Sequence, residues 1–244
     1  ALVTGRRFHF ALPIAQAIPC PLTMIVNNGA LVKDKSGATH RRKLLTVATA
    51  RRVLAAMPAY RSMAMVMFDR QRENQVILEE IDWNDPARKG YFERNREFLA
   101  EQKPLERCLD GAEDPIQVMF AGRVQPMREL HGKLGTFDWA ADFALALTEY
   151  EAKDFSLVDV VGAGVSKGAT LQAWAGQRGY AREEVMAIGD NWNDREMLEF
   201  AGRPVVMGNA VPGLAQPGWH VTSSNDECGV AAAIERFLLN GAHR

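Results

Sequence analysis

Long apolar runs are missing from this sequence. None approaches the roughly 18 consecutive apolar residues that a membrane helix needs, so no membrane partner is expected. A charge excess of either sign is missing as well. Lys and Arg number 29 against 30 Asp and Glu, a net charge of −1. A general nucleic-acid binder usually carries a basic surplus to displace phosphate counterions, so nucleic acid is not expected as a partner either. Cysteine is scarce: Cys20, Cys108 and Cys228 are odd in number and show no metal-type spacing. The histidines (His9, His40, His131, His220, His243) are equally dispersed, which excludes a visible zinc constellation. Buried thiols in a reducing compartment are the expectation, and with no signal-peptide pattern in the residues given, a cytoplasmic protein. Internal repeats and low-complexity linkers are absent too.

What is there is ordinary globular composition, 47% apolar and 24% charged in 244 residues. That suffices to bury a core, as one large domain or two modest ones. Ala1 to Val3 predicts a strand end, Arg7 to Ile18 a helix, and Leu22 to Val26 a short buried strand closing in Asn27-Asn28-Gly29. Short apolar runs punctuated by Gly and Asn suit interior strands of a parallel sheet. The texture changes after Lys33. "KDKSGATHRR" fits a hairpin or a domain crossing, and "TVATARRVLAAM" an amphipathic helix with Val47, Ala50, Val53, Leu54 and Met57 on one face. Strands are predicted at Met63 to Phe68, at Gln75 to Ile81, in "PIQVMFAGR", in "ADFALALTEY" and in "FSLVDVV". Helices are predicted in "PARKGYFERNREFLAEQ" and "PMRELHGKLG". This middle region reads as an α+β module. From "VSKGATLQAWAGQRG" onward a βαβ rhythm returns through "EEVMAIGDNWND", "REMLEFAG", "PVVMGNA" and "GVAAAIERFLLN". The expected architecture is therefore α/β. A discontinuous, doubly wound parallel-sheet core of residues 1–31 and 162–244 would carry residues 32–161 as an inserted second domain.

Three stretches can carry chemistry. In "AIGDNWNDREML" a buried strand ends at Gly189, and Asp190, Asn191, Asn193 and Asp194 follow at its carboxyl end, where open α/β sheets bind ligands. Two carboxylates and two amides within five residues offer hard oxygen donors suited to Mg²⁺. The same residues also fit a plain cap on the following helix. In "GVSKGATL", Ser166 suits a cap position and Lys167 the first helical turn. A cation there opposes the helix dipole and gains a purpose if an anion pairs with it, although exposed first-turn lysines are common. In "VTGRR", Thr4 offers a hydroxyl and Gly5 lets backbone N–H groups approach an anion; a simple strand-end turn explains them equally well. "NNGA" has the same two readings.

Taken together and in order, these pieces resemble the haloacid dehalogenase (HAD)-like hydrolases, and among them the Cof-type, type IIB sugar-phosphatase branch. "TGR" is similar to the family's second motif, "NNGA" to its next strand, "GVSKG" to its third motif and "GDNWND" to its fourth. "VVMGNA" and "TSSNDECGVAAAI" resemble its closing segments. The resemblance implies a HAD-like, Rossmann-like core with a type IIB α+β cap over residues 32–161. It implies a Mg²⁺-dependent phosphatase acting on a small phosphorylated metabolite, a sugar phosphate first. Thr4 and the amide of Gly5 would bind the transferring phosphoryl group, and Lys167 would neutralise its charge. Asp190 would bind Mg²⁺ with the backbone oxygen of Asn191, and Asn193 would contact phosphate oxygens. Asp194 would orient Lys167 or a metal-bound water. For phosphoryl transfer, where catalysis is mainly positioning and charge neutralisation, this is a sound division of labour.

One departure matters. The family's chemistry starts from D-x-D-G-T, whose first Asp attacks phosphorus to form an aspartyl phosphate while the second acts as general acid and base. No D-x-D occurs in this sequence; Asp82, Asp85 and Asp110 fall in the expected cap and none lies at a strand end. The expectation is a preceding N-terminal segment carrying both the motif and the first core strand. The alternatives are an inactive metabolite-binding or scaffold protein on the same fold, and a phosphomannomutase-like phosphoryl transferase. Arg123 and His131 are candidate cap contacts to substrate, each equally readable as a solvated surface position. A monomer and a homodimer are both compatible with the sequence.

Overall fold

The computed structural model describes residues 1–85, 88–111 and 113–239. It separates into two compact units, Ala1–Val165 and Ser166–Arg244.

The first unit opens with β1 (Leu2–Val3), α1 (Phe8–Ala17), β2 (Thr23–Val26) and the hairpin β3 (Leu31–Asp34) to β4 (Thr39–Arg42). β1 pairs with β2 in parallel, Leu2 opposite Met24, and β2, β3 and β4 continue the sheet antiparallel. Phe8, Ala11 and Ala15 recur at helical spacing on one face of α1 and bury against Met24 and Val26. There follow α2 (Val47–Ala56), β5 (Ala64–Met67), β6 (Val76–Leu78), α3 (Lys89–Arg94), β7 (Leu99–Glu101), β8 (Gln117–Gly122), α4 (Val124–Gly135), β9 (Phe143–Tyr150) and β10 (Phe155–Gly162). The six strands from β5 to β10 form one sheet in the order β7-β6-β5-β8-β10-β9.

Strand period 2 divides this sheet's side chains. Val66, Val118, Phe120, Val158 and Val160 face α2 and α4, meeting Ala50, Val53, Leu54, Met127, Leu130 and Leu134. Met65, Met67, Val76, Leu78, Met119 and Ala121 face the other way and meet Phe92, with Trp83 and Tyr91 beside it. With both faces covered, β5 and β8 read as unbroken apolar runs rather than as alternation.

The second unit consists of α5 (Lys167–Gln177), β11 (Met186–Gly189), α6 (Arg195–Phe200), β12 (Arg203–Val206), β13 (His220–Val221) and α7 (Gly229–Ile234). Its three strands are all parallel, in the order β11-β12-β13. β11 and β12, parallel and separated by α6, carry the βαβ signature expected of this stretch, while turns alone join β12 to β13.

The structure corrects the sequence reading in places. The helix expected over residues 86–102 is α-helical only from Lys89 to Arg94, with one 3₁₀ turn at Arg96–Phe98, and its predicted start at Pro86 and Ala87 lies outside the described residues. Asn95 ends it: its side-chain N–H bonds back to the Tyr91 carbonyl, and Leu99–Glu101 then extends to pair with β6. β13 had no pattern of its own, being two residues long. Past α7 the chain widens into a π-type turn, Glu235–Leu239, and Asn240 and His243 lie outside the described residues. Two of the thiols expected to be buried are exposed. Cys20 sits between two prolines, and Cys228 holds a left-handed turn (φ 57°) before α7.

Candidate active site

In the second unit the candidate residues gather around one carboxylate. Ser166 caps α5, its Oγ accepting the Ala169 amide at 3.0 Å, and this places Lys167 in the first turn. Lys167 is buried. Its Nζ donates to Asp194 Oδ1 at 2.7 Å, so the charge opposed by the helix dipole is met by a carboxylate. The other oxygen of Asp194 accepts the backbone amides of Asp190 at 3.0 Å and Asn191 at 3.1 Å. The Asp194 amide in turn donates to the Asn191 carbonyl at 2.9 Å, and Asn191 Oδ1 accepts the Trp192 amide at 2.9 Å. The loop is thus wound around Asp194. Gly189 is required for this: a Cβ there would stand 2.6 Å from Asp194 Cβ.

Asp190 carries the opposite character. Its side chain reaches solvent, while its backbone carbonyl is held by the Val211 amide at 2.9 Å. Crowding by the surrounding protein, with the Asp194 carboxylate second, raises its pKa above the usual carboxylate range; Lys167 opposes the shift. A carboxylate raised in this way gains from a cation beside it. The donors in this loop are carboxylate, carbonyl and amide oxygens, the set a hard divalent cation prefers. Among the described residues no three His, Cys, Asp or Glu side chains form a metal-type group; the loop offers an ion the Asp190 carboxylate and its own oxygens, with the engaged Asp194 carboxylate beside them. These residues fit a Mg²⁺ ion that draws further ligands from elsewhere.

Thr4 and Gly5 lie in the first unit, at the end of β1. The Thr4 amide donates to the Ile25 carbonyl at 2.8 Å, and Thr4 Oγ1 accepts the Arg6 amide at 3.1 Å. The hydroxyl proton is then what Thr4 can offer an anion. Gly5 packs under Asn28, whose Oδ1 would stand 3.0 Å from a Cβ at that position. Lys167, Asp190, Asn191 and Asp194 are therefore joined by hydrogen bonds within one unit, with the half-buried Asn193 in the same loop, while Thr4 and Gly5 belong to the turn of the other.

The two cap candidates both lie in the first unit, on or beside α4. Arg123 pairs with Asp154 at the start of α4. His131 is half-buried on α4, and burial lowers its pKa against the opposing Glu149. Sequence reasoning missed Arg7, Gln117 and Asp159, while Asn28 lay within "NNGA", read as a strand-end turn first and a site wall second. Arg7 is buried, hydrogen-bonded by its guanidinium to Gln75 and Asn95, and placed over the Phe98 ring. Asp159 had a usable signal, since it interrupts the apolar run of "FSLVDVV".

Comparison with known proteins gives this arrangement its class. A sequence model of the haloacid dehalogenase-like hydrolases matches residues 1–234, and the chain belongs to that family, in its Cof-type phosphatase branch. A pyridoxal phosphate phosphatase of Escherichia coli (strain K12) is 51% identical over 98% of this chain and 85% of its own. A 5-amino-6-(5-phospho-D-ribitylamino)uracil phosphatase of Bacillus subtilis (strain 168) is 38% identical over 97% and 80%. Three further bacterial phosphatases match over 74 to 87 residues, 27% to 32% of their length. Among solved structures, a haloacid dehalogenase-like hydrolase from B. subtilis superimposes with a TM-score of 0.77 over 97% of this chain and 87% of that one, at 21% identity. The α/β fold expected from the sequence is that of this family.

Proposed function

We propose that the protein is a Mg²⁺-dependent cytoplasmic phosphatase that hydrolyses a small phosphorylated metabolite, with sugar phosphates the first class to test. Residues 1–31 and 162–244 would form its core and residues 32–161 its cap. The observation that carries the reading is the Lys167–Asp194 pair buried beside Asp190. A buried lysine locked on a carboxylate holds a fixed positive charge where a phosphoryl group develops negative charge, and no reorganisation is needed at the moment of transfer. Asp194 spends both oxygens on Lys167 and on the loop amides, which favours its role as the orienter of Lys167. Asp190 and the backbone oxygen of Asn191 would hold Mg²⁺, with Asp194 next to them. When bound, the ion would neutralise phosphate charge. Thr4 would donate its hydroxyl proton, Gly5 its amide, and Asn193 its side-chain N–H to phosphate oxygens. The nucleophilic aspartate of the family's first motif is not among residues 1–244, so the chain described here supplies the cradle, the charge and the metal ligands. The cap would exclude water and select the leaving group.

A second substrate reading has its own support. The E. coli relative named as a pyridoxal phosphate phosphatase shares 51% identity across nearly the whole chain, so pyridoxal phosphate belongs in the same panel. The test is phosphate release by the full-length enzyme from sugar phosphates and pyridoxal phosphate, with Mg²⁺ and after its removal by chelation. Turnover that depends on Mg²⁺ is expected, with Asp190→Asn lowering it about 10²- to 10³-fold. Silence on the entire panel with Mg²⁺ present would favour the scaffold alternative, phosphoryl transfer between two positions of one sugar would favour the mutase, and an unimpaired Asp190→Asn would remove Asp190 as metal ligand.

A further inference from the structure

Asp159 lies in the middle of β10 between Val158 and Val160, in a strand buried on both faces, and is itself 3% exposed. A carboxylate in such a place is costly unless its oxygens are hydrogen-bonded. Both are. Oδ2 accepts Asn28 Nδ2 at 2.8 Å and Oδ1 accepts Gln117 Nε2 at 2.5 Å; Gln117 Oε1 then accepts Asn27 Nδ2 at 3.1 Å. The chain of four buried side chains therefore runs from the six-stranded sheet to the turn after β2.

That turn is strained and is tied to the phosphate turn. Asn27 and Asn28 both hold left-handed backbone, at φ 49° and 54°. Their amides bond to the neighbouring segment, Asn27 N to the Arg6 carbonyl at 3.0 Å and Asn28 N to the Thr4 carbonyl at 3.2 Å. The Asn28 side chain also packs on Gly5. The Asn28 amide lies edge-on to Gly5, with Oδ1 3.0 Å and Nδ2 3.3 Å from where a Cβ would stand, and the Asp159 oxygen fixes which of its two orientations is held.

We propose that Asp159 is a positioning residue for the phosphoryl-binding turn: it fixes the Asn27–Asn28 side chains, and with them the backbone amides that hold Thr4-Gly5-Arg6 in shape. The inference rests on the reading of Thr4 and Gly5 as phosphate ligands. The choice of carboxylate follows from the partners, because both oxygens face donors and an asparagine would set one N–H group against another. In Asp159→Asn one of the two amides must turn over or give up its bond, which loosens the Asn27–Asn28 turn against Gly5. Misplacing phosphate ligands by a fraction of an ångström is expected to lower kcat/KM about ten- to a hundredfold.

The experiment compares Asp159→Asn, Asn28→Gly, their double variant and Ser156→Ala in the full-length enzyme. Ser156 is the control: it is buried on the same strand, and its Oγ donates to the Thr148 carbonyl at 2.9 Å, away from the turn. Steady-state kinetics, inhibition by orthovanadate and amide hydrogen exchange at Thr4 and Asn28 are read together. Asp159→Asn should lose kcat/KM and orthovanadate affinity together and expose the Asn28 amide to faster exchange. The double variant should be no worse than the poorer single, since the two act in one chain. Ser156→Ala should lower the melting temperature and leave kinetics and exchange at the turn unchanged. Wild-type kinetics and wild-type exchange in Asp159→Asn would overturn the proposal, as would equal turn exchange in Ser156→Ala. If Asp159→Asn does not fold, Asn28→Gly carries both readouts, because glycine accepts the left-handed backbone while losing the amide. If the wild-type enzyme releases no phosphate, the phosphatase reading fails, and the exchange data alone decide whether Asp159 holds the turn.

Discussion

The acidic loop of the second unit and the Thr4 turn of the first are built in opposite ways. Asp194 organises its loop almost entirely from within, taking the amides of Asp190 and Asn191 four and three residues away and reaching outside only for Lys167. The Thr4 turn is organised from a distance. Its shape depends on Asn27 and Asn28 across the sheet, and those depend on Gln117 and Asp159, the latter 131 residues beyond Asn28. A local motif tolerates change elsewhere and breaks when one of its own residues is replaced. A distributed one spreads its dependence over many residues and should break by degrees.

The comparison can be broken most sharply at Asp194. Asp194→Ala leaves the buried Lys167 ammonium without its carboxylate and two amides without their acceptor, which should cost about 3–5 kcal/mol of stability; denaturant unfolding measures it. A loss near that of an exposed ion pair would mean that the loop is not organised by Asp194. Lys167→Met, which removes the charge and keeps the stem, should lower kcat about 10²- to 10³-fold with a smaller stability change. Kinetics at saturating substrate check this.

Paired glycine substitutions sharpen the contrast. In Gly189→Ala the new methyl meets Asp194 Cβ at 2.6 Å and Cγ at 2.9 Å, so the organising residue itself must move. About 1–3 kcal/mol is expected, with activity lost alongside. In Gly5→Ala the nearest atom is Asn28 Oδ1 at 3.0 Å, a milder approach than the 2.6 Å at Gly189. Its cost should fall below that of Gly189→Ala, and equal costs by thermal unfolding would contradict the local-versus-distributed distinction.

Smaller effects come from titration. His9, on α1 near the Thr4 turn, has its pKa lowered below the ordinary 6.5 by burial, then by Arg7 and Lys33, with Asp69 and Glu97 opposing. The unfolded chain therefore takes up the proton first as pH falls. Stability held by neutral His9 is present above pH 6.5 and declines as pH drops from there through the lower folded value. His9→Gln should flatten that slope in unfolding curves taken across pH 5 to 7.5. Smallest of all is Asp34 in the β3–β4 hairpin, where the Ser36 hydroxyl, with His40 and two backbone amides, holds the carboxyl down at about 2. Its contribution is present above the ordinary carboxylate pKa and fades as pH falls toward 2, which carboxyl NMR titration would follow.

Legibility tracked the same division. Asp190, Asn191, Asn193 and Asp194 were readable because five consecutive residues carry the whole loop. Lys167 was readable because the capping serine beside it marks a helix start. The buried face of α2 followed from 3.6-residue periodicity. Residues 95–102 were misread because tertiary pairing of Leu99–Glu101 with β6 overrode a continuous helical pattern. Arg7 and Gln117 gave no warning, since a single polar residue near a strand or helix end has no period to read.

By itself the sequence determined the family, the α/β elements and the acidic loop, because each rests on spacing within a short window where backbone geometry ties neighbours together. Only the tertiary structure decided that Lys167 is locked to Asp194 and that Asp159 reaches the Thr4 turn through two amides. Those contacts join residues 27 to 131 positions apart, and the distance between such residues is set by how sheets and helices pack rather than by the order of the chain.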